Sequence, residues 1–443
     1  VRADGTFSAC LPDGHYSAML RGPVVSLYSF VDLTASGSTT NVEIDGLAAT
    51  QVEQPPPEVV QVPADLEGLV GDILARDARL IGLGEATHGT AELTTSRGTL
   101  TFELIRRAKV RLVMFEVDAI LATAVDDYVM GGDVDLGKAV ANLGFWITDT
   151  YELLRFFEDL RAYNATTRDK VHVWGVDVQY TQPAVSLLLT HARALKLTDD
   201  DKQLLEKVAE KRAAPVRELT PERRAALDAL LQRLLKRRGK SQTDLRIAVA
   251  VRSLIVQIGY LDGDTAGLIA VRRDAGMASV ASYLVTQTKA PRACIWAHAA
   301  HVARADEVGI RPMGEHLAAF ASHRYYPIGF FIYEGSVRAW DAAGAIGVIS
   351  HPIPRAPDFA VEGAVMSATG SPDIAWLPSS RFSPVFRKWL ETPRYLREAG
   401  AVYSTEADLM TLYDVPAAFD ALVVIKSGHD SSPTPTGLRK ADN

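Results

Sequence analysis

The sequence predicts an α/β fold: a mostly parallel central sheet covered by helices, with a helical insertion and a small amino-terminal β-module. Three observations lead there. From about residue 65, short apolar runs alternate with stretches of helical periodicity, the βαβ pattern of a parallel sheet buried on both faces. Residues 184–288 instead hold long amphipathic segments. Residues 1–50 alternate Thr, Val, Ser and Tyr between turn signals at Asp4-Gly5, Pro12-Asp13-Gly14 and Ser36-Gly37-Ser38, the spacing of short antiparallel strands.

Taken in order, residues 1–50 form the β-module, and Asp4-Gly5-Thr6-Phe7 with Leu11-Pro12-Asp13-Gly14-His15-Tyr16 resembles part of a carboxypeptidase-regulatory-like sandwich. Residues 51–64 contain Pro55-Pro56-Pro57 and read as a stiff extended linker. The main domain is expected over 65–426. Its buried strands are Leu80–Gly84, Leu112–Phe115, Val171–Val176, Ala293–Ala297 and Ile328–Ile332. Within the insertion, about 184–288, the helical segments include Pro221–Arg238 and Asp244–Leu261. The polar tail 427–443, rich in Ser, Thr, Pro and Gly, is expected to be disordered.

Composition narrows the function classes. At 443 residues, 47% hydrophobic and 23% charged, the chain has a globular balance. Its 47 basic and 54 acidic residues give a net charge of -7, so no general attraction to nucleic acid or anionic lipid is expected. Two cysteines, Cys10 and Cys294, make neither a disulfide framework nor a four-thiolate zinc site. No apolar run reaches the roughly 18 residues needed to cross a bilayer. The first residue is Val rather than Met, which fits a trimmed leading segment. The compartment is open: cytoplasmic or, if a signal peptide was removed, periplasmic or extracellular. Oligomeric state is open.

In open parallel sheets, ligands collect outside the carboxyl ends of the strands. The apolar runs are followed there by Glu85, His88 and Glu92; by Glu116 and Asp118; by Asp177 and Gln179; by His298 and His301; and by Tyr333 and Glu334. Carboxylates and imidazoles are costly to bury without partners, so five such ends suggest one polar cleft. Against this, Asp118 and Asp177 could be ordinary helix-start residues, and His172 lies inside a strand as a structural histidine. His88 differs: it occupies a loop leading into a helix, three residues from Glu85. Glu92, Asp118, Asp177, Gln179, Tyr333 and Glu334 are assigned to substrate binding.

The chemistry narrows by elimination. No G-x-S-x-G elbow, G-x-G-x-x-G fingerprint or P-loop is present, so neither a nucleophilic serine nor a nucleotide cofactor is expected. His88, His298, His301 and the carboxylates would suffice for zinc, but no H-E-x-x-H or other dense ligand motif occurs, so no metal or other cofactor is expected. Cys294 sits in an apolar strand as an inert thiol. Acid–base chemistry by His and Glu is what remains, with an imidazole deprotonating water beside an orienting carboxylate.

At this point Gly84-Glu85-Ala86-Thr87-His88-Gly89-Thr90, with Glu92 and Arg97, resembles the signature of the erythromycin esterase family. The resemblance continues through Phe115-Glu116, Leu160–Asn164, Gly175-Val176-Asp177, Arg273-Asp274, Met277-Ala278, Trp296–His301, Met313-Gly314 and Phe419–Leu422. It covers about residues 65–426. It implies hydrolysis of an ester or lactone, in the family typically a macrolide antibiotic, by activated water without a covalent intermediate. It also implies that His88 is the base, that Glu85 and Glu116 are its paired carboxylates, that Arg97 is a cleft arginine, and that His298 and His301 are further catalytic histidines. Position 299 is Ala where the family motif usually carries Asn.

The expectation is a hydrolase acting on a small-molecule ester, lactone or modified peptide. The alternatives are a natural-product tailoring enzyme using the same cleft for cyclisation, epimerisation or amide cleavage, and a binding protein without turnover.

Overall fold

A computed structural model describes residues 14–19, 30–35, 65–209, 219–237, 239–260, 266–305, 311–342, 347–404 and 409–436. Within the expected β-module, strands β1 (Gly14–Met19) and β2 (Phe30–Ala35) pair antiparallel, Gly14 opposite Ala35. The Pro-rich linker lies outside the described residues.

The main sheet is built from β3 (Leu80–Glu85), β4 (Val110–Asp118), β5 (His172–Asp177), β6 (Arg292–His298), β7 (Tyr325–Asp341), β8 (Val348–Ile353) and β9 (Ile374–Pro378), joined later by β11 (Val402–Tyr403) and β13 (Ala421–Gly428). A separate antiparallel pair, β10 (Arg394–Arg397) with β12 (Met410–Tyr413), stands apart. The order across the main sheet is β5-β4-β6-β3-β7-β13-β9, with β8 and β11 beside β7. From β5 to β13 every neighbour is parallel, while β8 runs antiparallel to β7 and β9 antiparallel to β13. The chain leaves β3 for β4 and β5, then returns to lay β6 between β3 and β4. That reversal is the kind of place where an open α/β sheet forms a crevice.

Side chains alternate across the sheet because successive strand residues point to opposite faces. On β4, Val113 and Phe115 join a core with Ile81, Leu83, Cys294 and Trp296. Helices α1 (Leu66–Ala75), α2 (Ala91–Arg107), α3 (Thr123–Val129), α4 (Leu136–Ala141) and α5 (Tyr151–Ala165) cover it through residues such as Ile73, Leu104, Val125 and Phe157. Leu112 and Met114 face the other way, with Trp174 and Ile295. There they meet α6 (Thr181–Thr190), α7 (Ala192–Leu195), α8 (Asp199–Ala209), α9 (Pro221–Leu235), α10 (Gln242–Tyr260) and α11 (Ala266–Thr288) through Leu188, Leu205, Leu231, Leu254 and Leu284. The segment expected as an insertion thus supplies the helical layer of one face. Its helices start at conventional signals: Thr220 accepts from the Arg223 N–H and Pro221 opens α9. Burial raises the pKa of the Cys294 thiol, the state of an inert core sulfur.

The expected disorder from residue 427 needs correction. Ser427 and Gly428 belong to β13, and residues 429–436 are pinned to the domain. Ser431 N–H donates to Gly89 O (2.8 Å), Thr434 N–H to Asp149 O (3.1 Å), and Tyr151 N–H to Ser432 O (2.8 Å). A polar segment orders here because its backbone finds partners rather than because it buries apolar surface. Residues 437–443 lie outside the described residues. Among the described residues, no helix is long and apolar enough to cross a membrane.

Candidate active site

Strand register assembles the cleft. Glu85 on β3 pairs with His298 on β6, and Phe115 on β4 pairs with Trp296. The ends of three adjacent strands therefore reach one level, and the Glu116 carboxylate accepts the His298 N–H at 2.9 Å. The β4–β5 register shifts between Phe115 and Asp118. A Cβ on Gly175 would meet the Val117 and Asp118 carbonyl oxygens at 2.4 Å, so the irregular strand end presses on a position only glycine can fill. Gly84 has a similar role: a Cβ there would lie 2.8 Å from Ala299 Cα, where α12 (Ala299–Val302) crosses β3. Ala299 is fully buried in an apolar cluster with Ala86 and Phe331, so its side chain packs the core beside the cleft.

One cluster centres on His88. Its Nδ1 lies 2.9 Å from Glu85 Oε1, while Glu85 Oε2 accepts from Arg97 Nη2. A carboxylate partner engages Nδ1, which leaves Nε2 as the ring nitrogen free to face the cleft. Nε2 has no partner among the described residues, and the ring lines two cavities. Arg97 is held from three sides: its Nε donates to Leu93 O (3.2 Å), its guanidinium lies 4.6 Å from the Trp296 ring centroid, and Glu85 binds its end. Burial pulls the Arg97 pKa down, with Glu85 and Glu116 opposing.

The second cluster forms around Arg273, which reaches into the cleft from α11. Its Nε and Nη2 grip Asp177 Oδ1 and Oδ2 at 3.0 and 2.9 Å, and Nη2 also donates to Glu116 Oε1 at 2.7 Å. His301 Nε2 approaches Glu116 Oε1 at 3.3 Å, and Nδ1 makes an ion-pair contact of 2.5 Å with Asp274 that is poorly aligned for a hydrogen bond. Burial disfavours a charged His301, but Asp274 and Glu116 outweigh it and push its pKa up to about 10. Arg273 Nη1 also comes within hydrogen-bond distance of His301 Nε2, at 3.0 Å. Three carboxylates surround the two side chains, Glu116, Asp177 and Asp274. Burial likewise opposes ionisation of Glu116, yet His301 and Arg273, with a smaller share from His88, hold its pKa well below the usual carboxylate range.

His298 is of a different kind. Its Nε2 lies 3.2 Å from Ala86 O, its Nδ1 accepts the Ala300 N–H at 3.3 Å, and its ring is 5.0 Å from that of His88. Burial, reinforced by His88 and His301, lowers its pKa to about 3. Both nitrogens are committed to backbone and the ring is neutral, so His298 positions the cleft wall and does not titrate near neutral pH.

Two cavities meet at His88, Glu116 and Ile147. The outer one, about 280 Å³, is bounded by Phe145, Trp146, Gln179, Arg273, His301 and Gly400. The inner one, about 40 Å³, reaches Glu85, Arg97, Phe115, Thr148, Leu153 and Trp296. A water-sized space thus abuts the imidazole, beneath a larger space with aromatic and cationic walls.

The six residues assigned to substrate binding separate. Gln179 lines the outer cavity and Asp177 stands behind it, gripping Arg273. Four others are not brought to either cavity. Glu92 binds the backbone N–H and Nδ1 of His429, at 2.6 and 2.7 Å. Asp118 accepts the Ile120 and Leu121 N–H groups and is buried, which raises its pKa to about 7. Tyr333 and Glu334 fall in the middle of β7, which runs on to Asp341, and Glu334 pairs with Arg355 on the outside. Arg273, Asp274 and the wall Phe145–Thr148 were assigned no role from the sequence. Arg273 is 157 residues from Glu116, and only the Arg273-Asp274 segment of the family pattern pointed to it. Among the described residues, no three His, Cys, Asp or Glu side chains converge to hold a metal ion.

Known structures share this architecture. A Bacillus cereus protein superimposes with a TM-score of 0.69 at 20% identity, covering 85% of this chain and 96% of its own. A protein described as a succinoglycan biosynthesis protein gives 0.69 at 17% identity with the same coverage. A single-residue variant of the erythromycin esterase EreC, in an open conformation, gives 0.61 at 18% identity, covering 83% of this chain and 95% of its own. At such identities these likenesses speak to fold. The sequence model of the erythromycin esterase family matches residues 105–428, from the end of α2 through β13 and including Glu116, Asp177, Arg273, His298 and His301. With that span matched over most of its length, the chain belongs to the erythromycin esterase family.

Proposed function

We propose that the protein is a hydrolase that opens an ester or lactone with water activated by His88, without a covalent intermediate. The observation that carries this reading is the Glu85–His88 contact at 2.9 Å, which leaves Nε2 bare in a ring bordering a water-sized cavity. In the reaction, Nε2 takes a proton from water as the oxygen attacks the carbonyl carbon. Glu85 and the nearby Glu116 favour the imidazolium that forms, and Arg97 balances Glu85. Charge then gathers on the carbonyl oxygen. The cationic His301 and Arg273, both on the outer cavity, are the groups able to stabilise it, and the His88 imidazolium returns its proton to the departing alkoxide. Family membership supports a hydrolase, and the aromatic wall Phe145–Trp146 supports a substrate with an apolar body.

The reading is tested by incubating the protein with a panel of lactones, macrolides and peptide esters in ¹⁸O-labelled water. The expected product carries one added water with the label in the new carboxylate, and His88→Ala forms none. A product of unchanged mass would instead favour cyclisation or epimerisation.

A further inference from the structure

A cavity of about 830 Å³ lies apart from the cleft. It lies at the opposite, amino-terminal ends of the strands, beside His172 at the start of β5 and Lys289 just before β6. The helices α9, α10 and α11 form its other sides. A six-residue strand separates His172 from Asp177 in the cleft, so the two sites are roughly 17–20 Å apart.

Its chemistry is one-sided. Arg237, Lys240, Arg252 and Lys289 line it, and His172 adds an imidazole whose pKa is raised by the hydrogen bond to Asp126. Against these cations stands one lining carboxylate, Asp244, already bound to the Ser241 N–H and hydroxyl. The side-chain ammonium groups of Lys240 and Lys289 and the guanidinium of Arg252 have no hydrogen-bond partner among the described residues. Arg252 instead lies 3.9 Å over the Tyr283 ring centroid. One more donor in this wall, Trp174 Nε1, is buried without an acceptor, as is the Nε of that guanidinium. Buried donors are costly to leave unpaired, and this region is short of acceptors. The floor is apolar, made by Trp174, Leu234, Leu245 and Ile247.

We propose that this cavity is a second binding site, for a small amphipathic anion: an apolar or aromatic body on the Trp174–Leu234–Ile247 floor and an acidic group among Lys240, Arg252 and Lys289. The catalytic cleft does not offer the same match, because Arg273 and His301 are already neutralised by Glu116, Asp177 and Asp274. An anion therefore prefers the cavity whose cations are uncompensated.

The test uses the full chain and the probe 8-anilinonaphthalene-1-sulfonate, with its uncharged analogue N-phenyl-1-naphthylamine as control. Saturable one-to-one binding of the sulfonate is expected, weakening with salt as an ion contact does, with much weaker binding of the neutral analogue. Lys289→Gln and Arg252→Gln should each weaken it by about tenfold or more, the loss of one charge-assisted hydrogen bond. His88→Ala should bind as the wild type. Lys289 is exposed, so its substitution tests the site even if Arg252→Gln folds poorly. Absence of saturable binding, equal binding of both probes, indifference to Lys289→Gln, or loss in His88→Ala would each overturn the proposal. None of these results depends on whether the cleft is a hydrolase.

Discussion

His88 and Glu85 are joined Nδ1 to Oε1 at 2.9 Å, and this contact leaves Nε2 as the ring nitrogen that borders the cavities. Replacing the acceptor-only carboxylate by an amide disturbs that arrangement, because an amide can also donate. Glu85→Gln is expected to lower kcat by about a hundredfold or more with KM little changed. Steady-state kinetics on any hydrolysed ester checks this. A raised KM with kcat intact would make Glu85 a binding residue only.

The two later histidines should titrate at opposite extremes. The pKa of His301 stands at about 10 in the fold and near 6.5 in the unfolded chain. Its protonation therefore stabilises the fold fully below pH 6.5, and the contribution is lost as pH rises through about 10. The pKa of His298 is about 3, so the unfolded chain binds the extra proton between pH 6.5 and 3 and stability falls as pH drops through that window. Ring-labelled NMR should show His301 protonated and His298 neutral at pH 8. In thermal melts, the gap between wild type and His301→Gln should close towards pH 10, and a gap independent of pH would contradict the assignment.

Gly89 fixes the loop that carries His88. A Cβ at this position would lie 1.9 Å from Arg338 O, and the Gly89 carbonyl accepts from both Arg338 and Ser431. Gly89→Ala should destabilise the protein by about 1–3 kcal/mol in urea titrations, as overpacking does, and lower activity by displacing His88, the proposed base. Unchanged stability would mean the loop has slack that the packing does not show.

Much of the cleft was legible because carboxylates ended apolar runs: Glu85 and Asp177 each close a buried strand, and Glu116 directly follows the run Leu112–Phe115 two residues before the end of β4. The same rule misled at Tyr333 and Glu334. There the apolar run stops at Ile332, but β7 continues to Asp341 as a less buried strand. Asp118 answers to the same pattern while serving nearby backbone N–H groups, a local duty with the same sequence signal as a ligand. Arg97 and Arg273 reach the site from helices whose periodicity gives no hint of it, because their partners lie on other strands. The segment 429–436 looked disordered by composition, since hydrogen bonds to Gly89 and Asp149 leave no trace in hydropathy.

That segment yields its own prediction. It ties the Gly89 loop to the wall before α5, with the Thr434 hydroxyl on Asp149 and His429 on Glu92. Ending the chain after Gly428 removes several such bonds, each worth about 0.5–1.5 kcal/mol, and should cost about 2–4 kcal/mol of stability and reduce turnover. Differential scanning calorimetry and activity of the truncated chain measure both. A truncated chain as stable and active as the full one would show that the segment does not support the cleft.

The central claim is that one imidazole takes the proton of water, and the most direct measurement is kcat/KM of His88→Ala against wild type on the best ester substrate, with circular dichroism as the check on folding. The account predicts a loss of about a hundredfold or more in a folded protein. Turnover close to wild type in that variant would contradict it.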